Sequence, residues 1–188
     1  MSINAGHATI LPMDMDVKSV CTLHRAREAL KDVTPLLRDC GGLCGRACCQ
    51  PDTEGRGGML LFPEEETFYA DMPEGFALQR DFSLGGEELL LVCRGVCDRE
   101  KRPLACRIFP LTFGEKEGRP AVFLDPRAWP LCPLMPSGME GLSDRFTDAA
   151  RRAADTLWED SVFRAFIIRQ QAYIRRFSKA IWADGGIK

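Results

Sequence analysis

Histidine is nearly missing from this chain of 188 residues, which holds only His7 and His24. The H-E-x-x-H string of a zinc protease is absent, and two histidines argue against a Cys-His nucleophile pair as well. No G-x-x-x-x-G-K-[ST] loop occurs, nor a G-x-G-x-x-G following a strand, so the common nucleotide-phosphate cradles are excluded. No two cysteines stand in a C-x-x-C pair, which removes the thioredoxin-like dithiol. No apolar run approaches the roughly 18 residues of a membrane span. The first 20 residues carry Asp14 and Asp16 and no basic stretch before an apolar core, so no signal peptide is expected. A charge of one sign is lacking too: 25 basic residues face 27 acidic ones, a net charge of −2. Such a balance predicts neither nucleic acid nor a membrane surface as partner.

What is present is a globular composition, 45% hydrophobic and 28% charged, in a length that suits one domain. At this size a fold buries roughly 70% of the surface its unfolded chain exposes, so bulk alone demands no staple. The abnormal quantity is nine cysteines. An odd number cannot pair completely, and without an export signal the expected compartment is the cytoplasm, where thiols stay reduced. Reduced thiols can serve as small buried hydrophobes, but clustering is hard to explain by packing and points to metal.

Local patterns place these cysteines. Residues 1–20 show no helical period and read as an irregular arm. Leu23, Ala26, Leu30, Val33 and Leu37 predict a helix from Thr22 to about Arg38, kinked or divided at Pro35. Residues 40–58 are rich in glycine and cysteine and read as a loop, with a turn at Pro51-Asp52. Met59–Phe62 reads as a short strand, and Pro63 before Glu64, Glu65 and Glu66 as a helix start. Ala77–Phe82, Glu88–Cys93, Ile108–Phe113 and Ala121–Leu124 are candidate strands. Four prolines in residues 125–138 predict an extended linker. Beyond it Leu142, Phe146, Ala149, Ala153 and Leu157 mark one amphipathic helix, with Ser137 or Ser143 as a possible cap. Phe163, Phe166, Ile167, Gln170, Ile174, Phe177 and Ile181 mark a second, joined to the first near Glu159-Asp160; Trp158 and Trp182 belong with its core. The expected fold is α+β: an irregular cysteine-rich module with short strands and an N-terminal helix over residues 1–138, and a C-terminal helical hairpin over 139–188 packed on it in a single domain.

Cys40, Cys44, Cys48 and Cys49 are written C-x3-C-x3-C-C, Cys93 and Cys97 form C-x3-C, and Cys106 and Cys132 follow singly. Spacings of two to four residues are common among zinc ligands. Positions 40, 44 and 48 would share a helical stripe, but Gly41, Gly42 and Gly45 each cost a helix about 1 kcal/mol, so a knuckle is expected. In it glycine lets the backbone turn sharply enough for sulfurs to converge. The adjacent Cys48 and Cys49 are free to serve different sites. Thiolates in tetrahedral arrangement suit zinc and iron–sulfur alike.

The cluster ending in Cys48-Cys49, then Glu64-Glu65 at a helix start, then Arg102-Pro103-Leu104-Ala105-Cys106-Arg107-Ile108-Phe109-Pro110, resembles the YkgJ-type cysteine-cluster family, described as a zinc- or iron-chelating CxxCxxCC domain. The likeness spans roughly residues 40–110, and the R-P-x-x-C-R-x-F-P stretch is its most specific part. It implies metal binding and no particular reaction. The x3-x3 spacing departs from the family's x2-x2, and Cys132 lies outside the family core. A related cysteine pattern occurs in flagellin lysine methylases, but no methyl-donor site is recognisable here.

The expected ligands are therefore Cys44, Cys48, Cys97 and Cys106, with Cys40, Cys49, Cys93 and Cys132 next; Cys21 is left out. Zinc in one or two sites with a structural or binding role is the first expectation. An iron–sulfur redox or modifying enzyme is the second, and an exchangeable metal carrier the third. Arg102 and Arg107 flank Cys106 as candidate stabilisers of thiolate charge or as plain surface arginines. Pro103 and Pro110 are read as stiffening a loop that presents Cys106. A Cys21/His24 metal pair is outweighed by a solvated helix face, and Glu54–Gly58 reads as a flexible loop rather than an anion nest. The basic residues of the C-terminal helices read as a solvated face. No protein partner is indicated.

Overall fold

The computed structural model describes residues 16–36, 38–50, 57–93 and 97–183. His7, the Pro51-Asp52 turn and residues 54–56 of the glycine-rich segment lie outside them.

Helix α1 runs Val17–Ala29. It begins five residues earlier than the apolar spacing indicates, because Asp16 caps it: the carboxylate accepts from Lys18 N at 3.0 Å. It also stops well short of Arg38. Arg99 donates Nε to the Lys31 carbonyl at 3.1 Å and Nη2 to the carbonyl of Val33. A cation thus takes the carbonyls just past the helix end, where the negative end of the dipole favours it. Ser19, buried, lies 3.0 Å from Asp16 and 2.7 Å from Asp160, tying the start of α1 to the far end of the chain. The cap hydrogen bonds, from Ser19 first and Lys18 next, lower the pKa of Asp16. Because that value is depressed on folding, its contribution is present above the ordinary carboxylate range and is lost as pH falls through the folded value. Asp16→Asn should therefore flatten the change in helicity that the wild type shows by circular dichroism between about pH 5 and pH 3.

After α1 come a one-turn helix α2, Gly41–Cys44, and a 3-10 turn, Ala47–Cys49. Strand β1 is Met59–Leu60, β2 Phe76–Asp81 and β3 Glu88–Cys93. They form an antiparallel sheet of order β1-β3-β2, with Met59 opposite Leu91 and Phe76 opposite Cys93. The expected helix after Pro63 is a 3-10 turn, Glu65–Tyr69.

Residues Leu104–Ile108 form a short helix, α3, where a strand was expected to begin at Ile108. Leu104, Ala105 and Ile108 are all buried on it, and five residues are too few for a helical period to be read. The strand starts later: β4, Leu111–Lys116, pairs with β5, Arg119–Leu124, across the two-residue turn Glu117-Gly118. Both turn residues have positive φ, 55° and 77°, as a tight hairpin twisted to match its strands requires. Residues 125–138 are not an extended linker. They hold a 3-10 turn at Pro126–Ala128, capped by Asp125, and the start of another at Met135–Gly141.

Helices α4, Asp144–Trp158, and α5, Ser161–Ala183, are the expected hairpin. Ser143 occupies the N-cap position of α4 without a side-chain cap bond. Asp160 caps α5 by accepting from Val162 N at 2.9 Å. Helix α4 lies on α1 and β5, and α5 on β4. Phe62 sits amid Phe113, Phe163 and Phe166, with ring centroids 5.9, 6.5 and 4.8 Å away. One apolar cluster draws on α1, β1, α3, β4, α4 and α5, so the hairpin packs on the same core as the segments that carry the cysteines in an α+β fold. Trp158 is partly buried, with the Arg164 guanidinium 5.8 Å from its ring; the side chain of Trp182 lies outside those described.

Candidate metal centre

The cysteine-bearing segments are fastened by charged groups buried at their base. Glu65 is fully buried and accepts from Arg27 Nη1, from Leu104 N at 2.7 Å and from Phe62 N at 3.1 Å. All three neighbours are donors, which suits a carboxylate and leaves a carboxylic acid proton no acceptor. Burial pushes its pKa up, while Arg27, then the amides of Leu104 and Phe62, pull it back. Arg27 in turn stacks 4.6 Å over the Phe68 ring. Glu65 thereby joins α1, the end of β1 and the first residue of α3.

Arg107 is half of an expected pair and does something else. It donates to three backbone carbonyls: Arg102 at 3.0 Å, Glu100 at 2.8 Å and Arg27 at 3.2 Å. It is neither a surface arginine nor a thiolate partner; it pins the turn before α3. Tyr69 adds a bond to the Lys101 carbonyl at 2.9 Å. Cys106 therefore rides on a clamped helix, not on a proline-stiffened loop, with Pro103 at that helix's N-cap.

Above this base lies a pocket of about 80 Å³, lined by Cys48, Cys49, Cys93, Cys97 and Cys106 together with Arg102. Met59, Phe76, Leu91 and Phe109 make its apolar wall. Gly58 also lines it; with φ 151°, a Cβ there would lie 2.5 Å from the Leu91 carbonyl oxygen, so only glycine lets β1 approach β3 at this edge. Thiols from the knuckle, the end of β3, the following turn and α3 thus face one space.

The knuckle is a single helical turn closed by Gly45 and Arg46, both left-handed with φ 58° and 59°. The stripe through 40, 44 and 48 is broken there. Cys48 Sγ and Cys49 Sγ lie 3.9 Å apart. The thiol of Cys49 is lowered to about 6, first by the hydrogen bond from Cys48 and then, against burial, by Arg102 and Arg46. Cys48 is raised correspondingly, first by the same contact and then by burial. Burial raises Cys106 and Cys97, the latter opposed by a hydrogen bond from Arg102.

Cys40, Cys44 and Cys132 do not line this pocket and form a second neighbourhood. Cys40 is raised by burial, then by the charges of Asp39, Cys132 and Cys44. Cys132 is raised by burial and, less, by Cys44. Cys48 also feels Cys44 and Cys40, which places it between the two groups. Cys21 is exposed on α1, and His24, also exposed, tilts against Phe68 with ring centroids 6.3 Å apart.

The donors fit a soft metal centre in kind: two groups of thiols and a nearby guanidinium. Crowded thiols that resist ionisation one by one lose their protons readily to a metal, whose charge inverts the local balance. In spacing they are open. Among the described residues no three His, Cys, Asp or Glu side chains close on one point as metal ligands. The part that sequence reasoning missed is the buried base of Glu65, Arg27 and Arg107, whose partners lie up to 80 residues away in the chain. Comparison with protein-family models, curated proteins and solved structures found no match.

Proposed function

We propose that this chain is a metal-binding protein whose clustered thiolates chelate zinc, in one or two cysteine-rich centres, and that the metal's role is chiefly to hold the structure. The observation that carries this reading is the convergence of Cys48, Cys49, Cys93, Cys97 and Cys106 on one pocket. We assign the eight clustered thiols to two sets of four, with Cys48, which lines the pocket and also neighbours Cys44 and Cys40, given to the second. Cys49, Cys93, Cys97 and Cys106 form the first; Cys40, Cys44, Cys48 and Cys132 form the second. Each set is the number a closed tetrahedral zinc site takes, and a closed site leaves no position for substrate. The likeness to the YkgJ-type family supports the same chemistry, and a reducing compartment such as the cytoplasm would keep the thiols available.

An iron–sulfur centre in the first set is the second reading, favoured by the size of the pocket. A water needs about 10–15 Å³ of such space, and 80 Å³ is several times more than a single small ion occupies. Elemental analysis of protein purified without oxygen, together with its visible spectrum, separates the two. Colourless protein with one or two zinc per chain is the expected result. Brown protein with matched iron and acid-labile sulfide would replace zinc by iron–sulfur, and protein free of metal would overturn both.

A further inference from the structure

Arg102 holds a buried polar atom without a partner. Its Nε is closed off from solvent and finds no acceptor, alone in this respect among the side-chain atoms of the described residues. A buried orphan donor forfeits its hydration without return, and in a folded protein it calls for an explanation. The placement is built, not incidental. Arg102 closes the 3-10 turn Arg99–Lys101 by donating its amide to the Arg99 carbonyl at 3.2 Å, and its own carbonyl is held by Arg107 at 3.0 Å. The guanidinium lines the thiol pocket together with Cys97, whose thiolate its charge favours. No carboxylate among the described residues pairs with it.

Resting on the reading of this pocket as a metal centre, we infer that Arg102 is the positioning residue of the first centre: its Nε–H is reserved for an anionic sulfur that the bound centre presents. A four-thiolate zinc site or a thiolate-ligated cluster carries negative charge, and a partly buried arginine is the cation suited to meet it with directed donors. The sulfur is either a metal-bound cysteine thiolate or an inorganic sulfide; the chemistry at Nε is the same. Arg107, five residues further on, directs all three of its nitrogens at carbonyls and does not line the pocket.

The test compares the full chain, purified without oxygen, as wild type, Arg102→Gln, Arg102→Lys and Arg151→Gln, the last an exposed arginine of α4. Metal and acid-labile sulfide per chain, thermal stability and the rate of metal loss to EDTA are measured on each. Arg102→Gln should release metal from the first centre on the order of ten-fold faster than wild type. Arg102→Lys keeps the charge without the Nε–H and should behave like the glutamine variant, whereas Arg151→Gln should stay within about twofold of wild type. Acid-labile sulfide matched to iron identifies the acceptor as sulfide; its absence beside zinc identifies a thiolate. Release rates in Arg102→Gln equal to those of a metal-loaded wild type overturn the role of Arg102 alone. Full rescue by lysine overturns the directed bond in favour of charge. A wild type without metal overturns the centre itself and this role with it. If Arg102→Gln does not fold, the lysine variant decides the matter on the same readouts.

Discussion

Replacing Glu65 by alanine should lower the melting temperature by about 6–20 °C. The figure follows from the cost of breaking a buried ion pair from one side, about 3–5 kcal/mol, and a shift of about 2–4 °C per kcal/mol for a chain this long. The cause is what remains behind. Arg27, 8% exposed at its side chain, would keep its charge with no counter-ion, and the amides of Leu104 and Phe62 would lose the acceptors they now have at 2.7 and 3.1 Å. Glutamine should recover only part of the loss. It offers one oxygen to three donors and turns an amide hydrogen toward one of them. The double variant Arg27→Met/Glu65→Leu should cost clearly less than the sum of its parts, because an apolar pair of similar size leaves no charge stranded. A Glu65→Ala protein that melts within about 2 °C of wild type would show that the pair contributes little and that the segments are held by packing alone.

How far sequence goes is well shown by the neighbours of this pair. Strand Glu88–Cys93 was legible to the residue because an unbroken apolar run announces it, and α4 and α5 were legible because 15 and 23 residues display their period. Helix α1 was misjudged at both ends. Val33 and Leu37 continue its spacing, yet the helix ends at Ala29 because Arg99, far along the chain, takes the carbonyls of Lys31 and Val33. Helix α3 hid for the opposite reason: five residues with buried positions at 104, 105 and 108 look as much like strand as helix. In the candidate site the clustering of the cysteines was legible, since residue type and spacing are properties of the string. Which of them face one pocket was not, since that depends on how the knuckle, β3 and α3 are brought together. The same holds for the arginines flanking Cys106. Sequence makes Arg102 and Arg107 equivalent; the fold points one at thiols and the other at carbonyls.

The division of the thiols can be read out by stoichiometry. Changing Cys106 to serine removes the most deeply embedded thiol of the first set, on a helix that cannot shift because Glu65 and Arg107 hold its approach. The variant should lose the metal of that set and much of the stabilisation it brings. Structural zinc can contribute about 10–16 kcal/mol of apparent binding energy at neutral pH, and three thiolates in place of four forfeit a large part of it. Cys132→Ser should lose the metal of the second set only, so that two-site protein falls to about half its metal while the first centre keeps its resistance to chelation. Cys21→Ser should change neither content nor melting, because Cys21 stands exposed on α1, apart from both sets. Metal measured per chain, with thermal melts of the same samples, separates these patterns. Loss of all metal from either variant would merge the two sets into one cooperative centre. Full metal and an unchanged melt in Cys106→Ser would remove Cys106 from the ligands, and with it the first set as drawn. If serine at either position instead leaves a folded chain that binds metal more weakly, restoring the melt by added zinc should require far less metal for Cys132→Ser than for Cys106→Ser. The first set, as proposed, would tie β3 and α3 to the knuckle, whereas the second would join the knuckle only to the segment of Cys132.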